Sequence, residues 1–278
     1  MLKGRKLLIG IPSYDGKVVV EFATAFAQSL SHLLSLGVTV YHTKKIGSCY
    51  IDQARDEIVH AFLHDSDATD LLFIDADVTW EPDAISKLMI AATKHEAACG
   101  MYPLKLPEPA FTANVPIVDG GVEMDGGLIR ADGVPAGFLM VRRSAIEKMV
   151  EAYPELSYRP MRGKLKDQKV AALFHMNIED ERYYREDIAF CRRLAAVADG
   201  VWIDPDIELK HWNGVECFAH KFKDYILRVD PGMWQERLQA DAHGKGGVRE
   251  SGNGRHQPGP QPQPSLGSEL PSVAIRGW

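Results

Sequence analysis

Asp75 and Asp77 stand one residue apart at the end of an apolar run, Leu71-Leu72-Phe73-Ile74. In an extended segment residues i and i+2 point to the same side, so both carboxylates can converge on one ligand. Two hard oxygen donors on one side suit Mg²⁺ or Mn²⁺ bridged to phosphate oxygens. Asp-x-Asp is equally the pattern of a solvated acidic loop. The four apolar residues before it, and the apparent helix opening at Val78-Thr79-Trp80-Glu81-Pro82 after it, favour the metal reading. Glu186-Asp187 is a second acidic pair, at the start of an amphipathic helix whose Ile188, Cys191, Leu194 and Ala195 face inward. Acids at a helix N-terminus are favoured by the dipole, so this pair reads either as a helix start or as a proton acceptor. His211 follows a buried-looking strand and precedes a turn, Trp212-Asn213-Gly214, which makes it either a ligand or an ordinary histidine.

The elements that must carry these residues alternate. Lys6–Ile11 is a short apolar run ending at Pro12, which predicts a buried strand. Val18–Leu36 predicts a helix, with Phe22, Phe26, Ser29, Leu30, Leu33 and Leu34 on one face and Gly37 as its C-cap. Val38–His42 is strand-like, Ile51–Leu63 helical, Asp70–Asp75 a buried strand and Pro82–Ala92 a third helix. This β-α-β-α-β-α succession predicts an α/β fold with a parallel sheet and helices on both faces. In such sheets ligands bind beyond the carboxyl ends of the strands, where Pro12, Ser13, Tyr14 and Asp15 and the Asp75–Asp77 segment both fall. After Ala97 the chain turns irregular and glycine-rich, with two more helices near Ser144–Ala152 and Glu186–Ala196. The organisation expected is one domain over 1–240, its halves 1–100 and 101–240, followed by a Gly/Pro-rich tail at 241–278. Thirteen of those last 38 residues are Gly or Pro, a composition that predicts disorder.

The remaining composition mainly excludes. A net charge of −6 over 278 residues, from 32 basic and 38 acidic side chains, argues against a large basic footprint for nucleic acid. No apolar run approaches the ~20 residues of a membrane span, so no integral membrane association is expected. Leu7-Leu8-Ile9 is too short for a signal-peptide core, and a cytoplasmic protein is expected. Cys49, Cys99, Cys191 and Cys217 form no CxxC pair and read as buried free thiols.

Two families share the acidic strand end. Asp75-Ala76-Asp77-Val78-Thr79 fits the Asp-x-Asp-x-Thr of haloacid-dehalogenase-like phosphatases, with Asp75 as nucleophile. That family carries the motif on its first strand, whereas two β-α units precede it here, and no later Lys and Gly-Asp-x-x-x-Asp pair is evident.

The broader resemblance is to the GT-A fold glycosyltransferases, in particular the family-2-like set of bacteria and bacteriophages. Seven segments follow that family's order: Ile9–Asp15, Ala54–Val59, Phe73–Val78, Ala98–Pro103, Pro135–Arg143, Arg185–Arg193 and Asp204–His211. Asp56 departs from it, standing where Asn is commoner, and Leu156–Val170 matches nothing in it.

The resemblance implies a GT-A (Rossmann-like) mixed, mostly parallel sheet, a nucleotide-binding half followed by an acceptor-binding half, and transfer of a sugar from a nucleotide-diphosphate donor. It implies Mn²⁺ or Mg²⁺ held directly by Asp77, with His211 completing the ligands and Asp75 contacting the ribose or reaching the metal through water. Pro12, Ser13, Tyr14 and Asp15 would meet the nucleotide. Tyr14 would stack on the base and Asp15 accept a base N–H, or the segment is a turn opening the first helix. Ala76 and Gly137 fall in the donor-binding segments. Arg55 would pair with Asp15 or the diphosphate, the alternative being a helix-surface ion pair. Asp187, beside Glu186, would be the general base toward an acceptor hydroxyl, implying inversion. The acceptor class stays open among a glycan, a protein, a metabolite and a hydroxymethylated DNA base. A nucleotide-sugar-binding protein without catalysis is the non-enzymatic alternative. Tyr102, Trp202 and Trp212 are candidate sugar platforms or core residues, and the basic stretch Arg159–Lys169 is either a flap or a solvated loop.

Overall fold

The computed structural model describes residues 2–118, 121–232, 234 and 272–275. β1 (Lys6–Ser13), α1 (Val20–Ser35), β2 (Thr39–Ile46), α2 (Ile51–His64) and β3 (Asp70–Ile74) open the chain. A short β4 (Val78–Trp80), α3 (Ala84–Lys94) and β5 (Ala97–Cys99) complete its first half. Then come β6 (Ala113–Val118), β7 (Gly121–Val122), β8 (Met124–Asp125), β9 (Leu128–Ala131), β10 (Phe138–Arg142) and α4 (Arg143–Ala152). The pairs β11 (Ser157–Tyr158) with β12 (Val170–Ala171) and β13 (Asn177–Glu179) with β14 (Arg182–Tyr184) precede α5 (Glu186–Ala195). β15 (Val201–Ile203), β16 (Leu209–Asn213), β17 (Glu216–Phe218), α6 (Phe222–Val229) and β18 (Ser272–Ile275) follow.

The main sheet has the order β2-β1-β3-β10-β5-β15-β9-β8. β1, β2 and β3 run parallel, and so do β5 and β15, while β10 is inserted antiparallel between β3 and β5. Side-chain alternation explains why helices cover both faces. Leu7, Ile9, Leu72 and Ile74 pack on one face with Phe22 and Leu33 of α1 and Leu88 of α3. Leu8, Leu71 and Phe73 pack on the other with Ile58 and Phe62 of α2, Ile146 of α4 and Phe190 of α5. This is the mixed, mostly parallel sheet with helices on both faces that the resemblance implies.

Four details depart from the sequence reading. β2 continues to Ile46, because its parallel register with β1 runs on to Ser13. α3 begins at Ala84 rather than Pro82, since Val78–Trp80 forms β4 instead of opening a helix. β4 pairs antiparallel with β16, setting Val78 opposite His211. Within the stretch read as a disordered tail, Ser272–Ile275 pairs antiparallel with β6, and the rest of 241–278 lies outside the described residues. Of the cysteines, Cys99 and Cys191 are buried as expected, whereas Cys49 and Cys217 are exposed. Among the described residues no helix is long and apolar enough to cross a membrane.

Asp56, the departure from the family pattern, is buried and accepts the Phe174 N–H at 2.9 Å. Burial pushes its carboxyl up to about 8, against the Phe174 hydrogen bond, so the side chain is mostly neutral at pH 7. A neutral carboxyl is close in shape and charge to the amide of Asn.

Candidate active site

A cleft of about 620 Å³ opens at the carboxyl ends of β1 and β3, within the size range of small-molecule sites. Pro12, Ser13, Tyr14 and Asp15 line it from the β1–α1 turn, Arg55 from α2, Asp75, Ala76 and Asp77 from the end of β3, and Glu186 from the start of α5. Nine residues singled out in the sequence therefore meet on one surface, although they span 174 positions from Pro12 to Glu186 (186 − 12).

The β1–α1 turn is locally determined. The Lys17 N–H donates to Asp15 Oδ1 at 3.1 Å, and Ser13 Oγ donates to the Lys17 carbonyl at 3.1 Å. This is the Asx-type turn expected of a short acid at such a position. The Asp15 carboxylate is thus engaged within its own turn, whereas Tyr14 is 70% exposed and its ring stands at the rim.

Asp75 and Asp77 do not sit in an extended segment. β3 ends at Ile74, and Val78 N–H donates to the Asp75 carbonyl at 3.1 Å, closing a turn. Each carboxylate has its own cation. Arg55, almost fully buried, donates to Asp75 Oδ1 at 3.1 Å and to Glu186 Oε1 at 2.9 Å. Arg55 is therefore neither a surface ion pair nor a partner of Asp15. It bridges the end of β3 to the start of α5, two elements distant in sequence. Burial alone would lower its pKa, but Asp75 and Glu186 outweigh that and hold it raised.

Asp77 faces the other way along the cleft. Lys105 Nζ lies 2.6 Å from its Oδ2, and His211 Nε2 lies 3.5 Å from the same oxygen. Burial pushes the Asp77 carboxyl up, yet the hydrogen bonds to His211 and Lys105 prevail and hold it at about 2. His211 reaches this point because β16 pairs with β4, and the Trp212 N–H donates to the Asp77 carbonyl at 2.9 Å. The ring is fixed by Nδ1, which donates to the Pro103 carbonyl at 2.9 Å, and by the edge of Tyr102.

Gly137 does not line the cleft but supports it. Its carbonyl accepts the Asp75 N–H at 3.0 Å, and a Cβ there would fall 2.5 Å from both Asp75 Oδ2 and Tyr102 Oη. A side chain at this position would push the Asp75 carboxylate aside.

The β13–β14 hairpin delivers the start of α5. Asp180 and Glu181 form its two-residue turn with φ of 50° and 64°, the left-handed pair such hairpins require. Asp187 Oδ1 accepts the Ile188 N–H at 2.8 Å, satisfying one of the free donors of the helix start. Burial pushes the Asp187 carboxyl up to about 6, with the Glu186 and Asp75 charges adding and Arg55 opposing.

None of the other candidates, Tyr102, Trp202, Trp212 and the stretch 159–169, lines the cleft. Tyr102 is buried, and Trp202 is buried and stacked on His95 with ring centroids 3.8 Å apart. Trp212 Nε1 donates to Thr79 Oγ1 at 2.9 Å, which also engages the last residue of the phosphatase-like pattern. In the stretch Arg159–Lys169, Gln168 Oε1 bonds to His60 Nε2 of α2 at 2.7 Å, and none of these residues lines the cleft. Lys105 does not line the cleft either, but it touches Asp77, and sequence reasoning missed it. It is a single Lys in the irregular, proline-rich segment Pro103–Pro109, with no periodicity to mark it.

No protein-family model matches the chain, and no characterised protein matches it in sequence. Among solved structures it is similar to A197 from STIV, with a TM-score of 0.48 and 16% identity over 75% of this chain and 86% of that one. It is similar to residues 1–349 of S. aureus TarS, with a TM-score of 0.38 and 11% identity over 86% and 70% of the two chains. The same TarS fragment has been solved with UDP-GlcNAc and with UDP. A third likeness is to a glycosyltransferase involved in glycosylation of the major capsid of PBCV-1, with a TM-score of 0.30 and 13% identity over 53% and 65%. At these values the functional reading rests on the cleft itself.

Proposed function

We propose that the protein is a divalent-metal-dependent glycosyltransferase that moves a sugar from a nucleotide-diphosphate donor to an acceptor hydroxyl, with inversion. The observation that carries this reading is the convergence of the β1–α1 turn, Arg55, Asp75-Ala76-Asp77 and Glu186 on one cleft at the strand ends.

The donor set fits a hard divalent ion. With Nδ1 of His211 donating to Pro103, Nε2 is the ring nitrogen that faces Asp77 Oδ2, 3.5 Å away. An ion bound there would take the place of the Nε2 proton, and the backbone-anchored ring is the usual support of a metal-ligating histidine. Among the described residues no three His, Cys, Asp or Glu side chains converge on one point, so diphosphate oxygens and water would supply the remaining positions. Asp77 and His211 are the residues assigned to the ion. Asp75, with both oxygens near Arg55, is assigned to the donor ribose or to a water-mediated contact.

When bound, Mn²⁺ or Mg²⁺ would neutralise charge on the leaving diphosphate. Tyr14 offers an exposed ring to the base. Arg55 fixes Asp75 and Glu186 and adds positive charge beside the diphosphate. Glu186 is thereby a positioning residue, and the proton of the acceptor hydroxyl falls to Asp187. A carboxyl raised to about 6 is a stronger base than an ordinary Asp and is still mostly ionised at pH 7.

Asp77→Ala tests the metal assignment. The side chain is 40% exposed, so its loss should leave the fold intact while abolishing Mn²⁺-dependent binding of a nucleoside diphosphate. Unchanged affinity by calorimetry, at unchanged melting temperature, would overturn the assignment.

A further inference from the structure

Lys105 stands outside every segment that carries the family resemblance, yet its ammonium makes the closest contact to Asp77, 2.6 Å from Oδ2. That oxygen is the one His211 Nε2 faces at 3.5 Å. A cation bound between Asp77 and His211 and the ammonium of Lys105 therefore compete for one carboxylate oxygen. Lys105 belongs to an irregular segment just past β5, anchored by the Leu104 N–H to the Ala110 carbonyl at 2.8 Å, and its side chain is about one-third exposed. The stem is flexible and carries four rotatable carbons, so the ammonium can turn without moving the strand ends. The charges of the site give it somewhere to turn. Arg55 pairs with Asp75 and Glu186, and Lys105 and His211 face Asp77, while Asp187 makes no ion pair with Arg55 or Lys105. Arg55 is locked between two carboxylates and Lys17 lies beside Asp15 on the β1–α1 turn, so Lys105 is the cation in contact with Asp77 that can turn toward an incoming anion.

We propose that Lys105 is a tethered counter-ion of Asp77 that competes with the divalent ion and, once displaced, binds the donor diphosphate. This rests on the glycosyltransferase reading above and adds to it a residue with two successive partners. Without an ion, Lys105 keeps Asp77 from standing as an uncompensated carboxylate. With an ion on Asp77, like-charge repulsion would turn the ammonium away, leaving it free to meet the anionic diphosphate of the donor. Lys105 thereby couples ion entry to donor binding.

The test is Lys105→Met, which keeps the stem and removes the charge, with Lys105→Arg as the charge-preserving control. Calorimetry on the whole protein measures Mn²⁺ affinity without nucleotide. It then measures, at saturating Mn²⁺, the affinity of whichever of UDP, GDP, ADP, CDP and dTDP binds the wild type best. Lys105→Met should bind Mn²⁺ about fivefold more tightly, the scale of a partly exposed ion pair, and the diphosphate about fivefold or more weakly. Lys105→Arg should restore most of both. A purely structural Lys105 would not move the two affinities in opposite directions. If no nucleoside diphosphate binds wild type or variant in an Mn²⁺-dependent way, the metal reading falls and this proposal with it. If Mn²⁺ binds but either affinity is unchanged in Lys105→Met, only the role of Lys105 is overturned.

Discussion

Asp187→Asn should lower turnover by ~10²–10⁴-fold while leaving donor affinity nearly unchanged, the usual contribution of a positioned base. The amide keeps the shape of the side chain and can still accept the Ile188 N–H that Asp187 Oδ1 accepts at 2.8 Å. It cannot take a proton. If Asp187 only closed its helix start, Asn would serve equally well and activity would stay near wild type. The same residue sets a pH dependence. Its carboxyl, pushed up to about 6 by burial and by Glu186, must be ionised to act. Below about pH 6 the rate should therefore fall about tenfold per pH unit, and above it the rate should level. The steady-state profile of the wild type, alongside donor affinity for the variant, measures both. Activity within threefold of wild type, or a rate flat from pH 5 to pH 7, would reject the base and the inverting mechanism with it.

Arg55→Met should cost about 3 kcal/mol of stability, because it strips the shared cation from two partly buried carboxylates. At this chain length that is a fall of roughly 6–12 °C in melting temperature. Asp75 and Glu186 retain some exposure, so water relieves part of the loss and the lower end of the usual range applies. Adding Glu186→Gln to Arg55→Met should recover a measurable share, since one of the two orphaned charges is then gone. Arg55→Lys should not substitute, because one ammonium cannot reach both carboxylates as the guanidinium fork does. A loss under about 2 °C for Arg55→Met would show that the bridge between β3 and α5 contributes nothing to holding the site.

The first half of the fold was legible because its signals are local. The 3.6-residue spacing of α1, the β-branched run of β2 and the apolar β3 each stand in contiguous sequence. β4 was not legible, since Val78-Thr79-Trp80 is too short to show a period and owes its strand form to β16, more than a hundred residues away. That pairing also brings His211 to Asp77, a contact the local sequence of neither residue announces. Arg55 illustrates the same limit. Its place on α2 was readable, but its burial between Asp75 and Glu186 depends on how three elements pack. Gly137 falls in a segment read as donor-binding, but that its missing Cβ leaves room for the Asp75 carboxylate is visible only in the packing. Lys105 left no sequence signal, because a loop residue that meets its partner through tertiary contact has neither spacing nor neighbours to mark it.

The most direct measurement is nucleotide release from a panel of nucleotide sugars, each assayed with Mn²⁺ and with a chelator. The account predicts that one donor, or a small set sharing a base, is turned over with Mn²⁺ and not with the chelator. It also predicts that Asp77→Ala abolishes that turnover at an unchanged melting temperature. Turnover that persists in the chelator, or no binding of any nucleotide sugar to the wild-type protein in Mn²⁺, would contradict it.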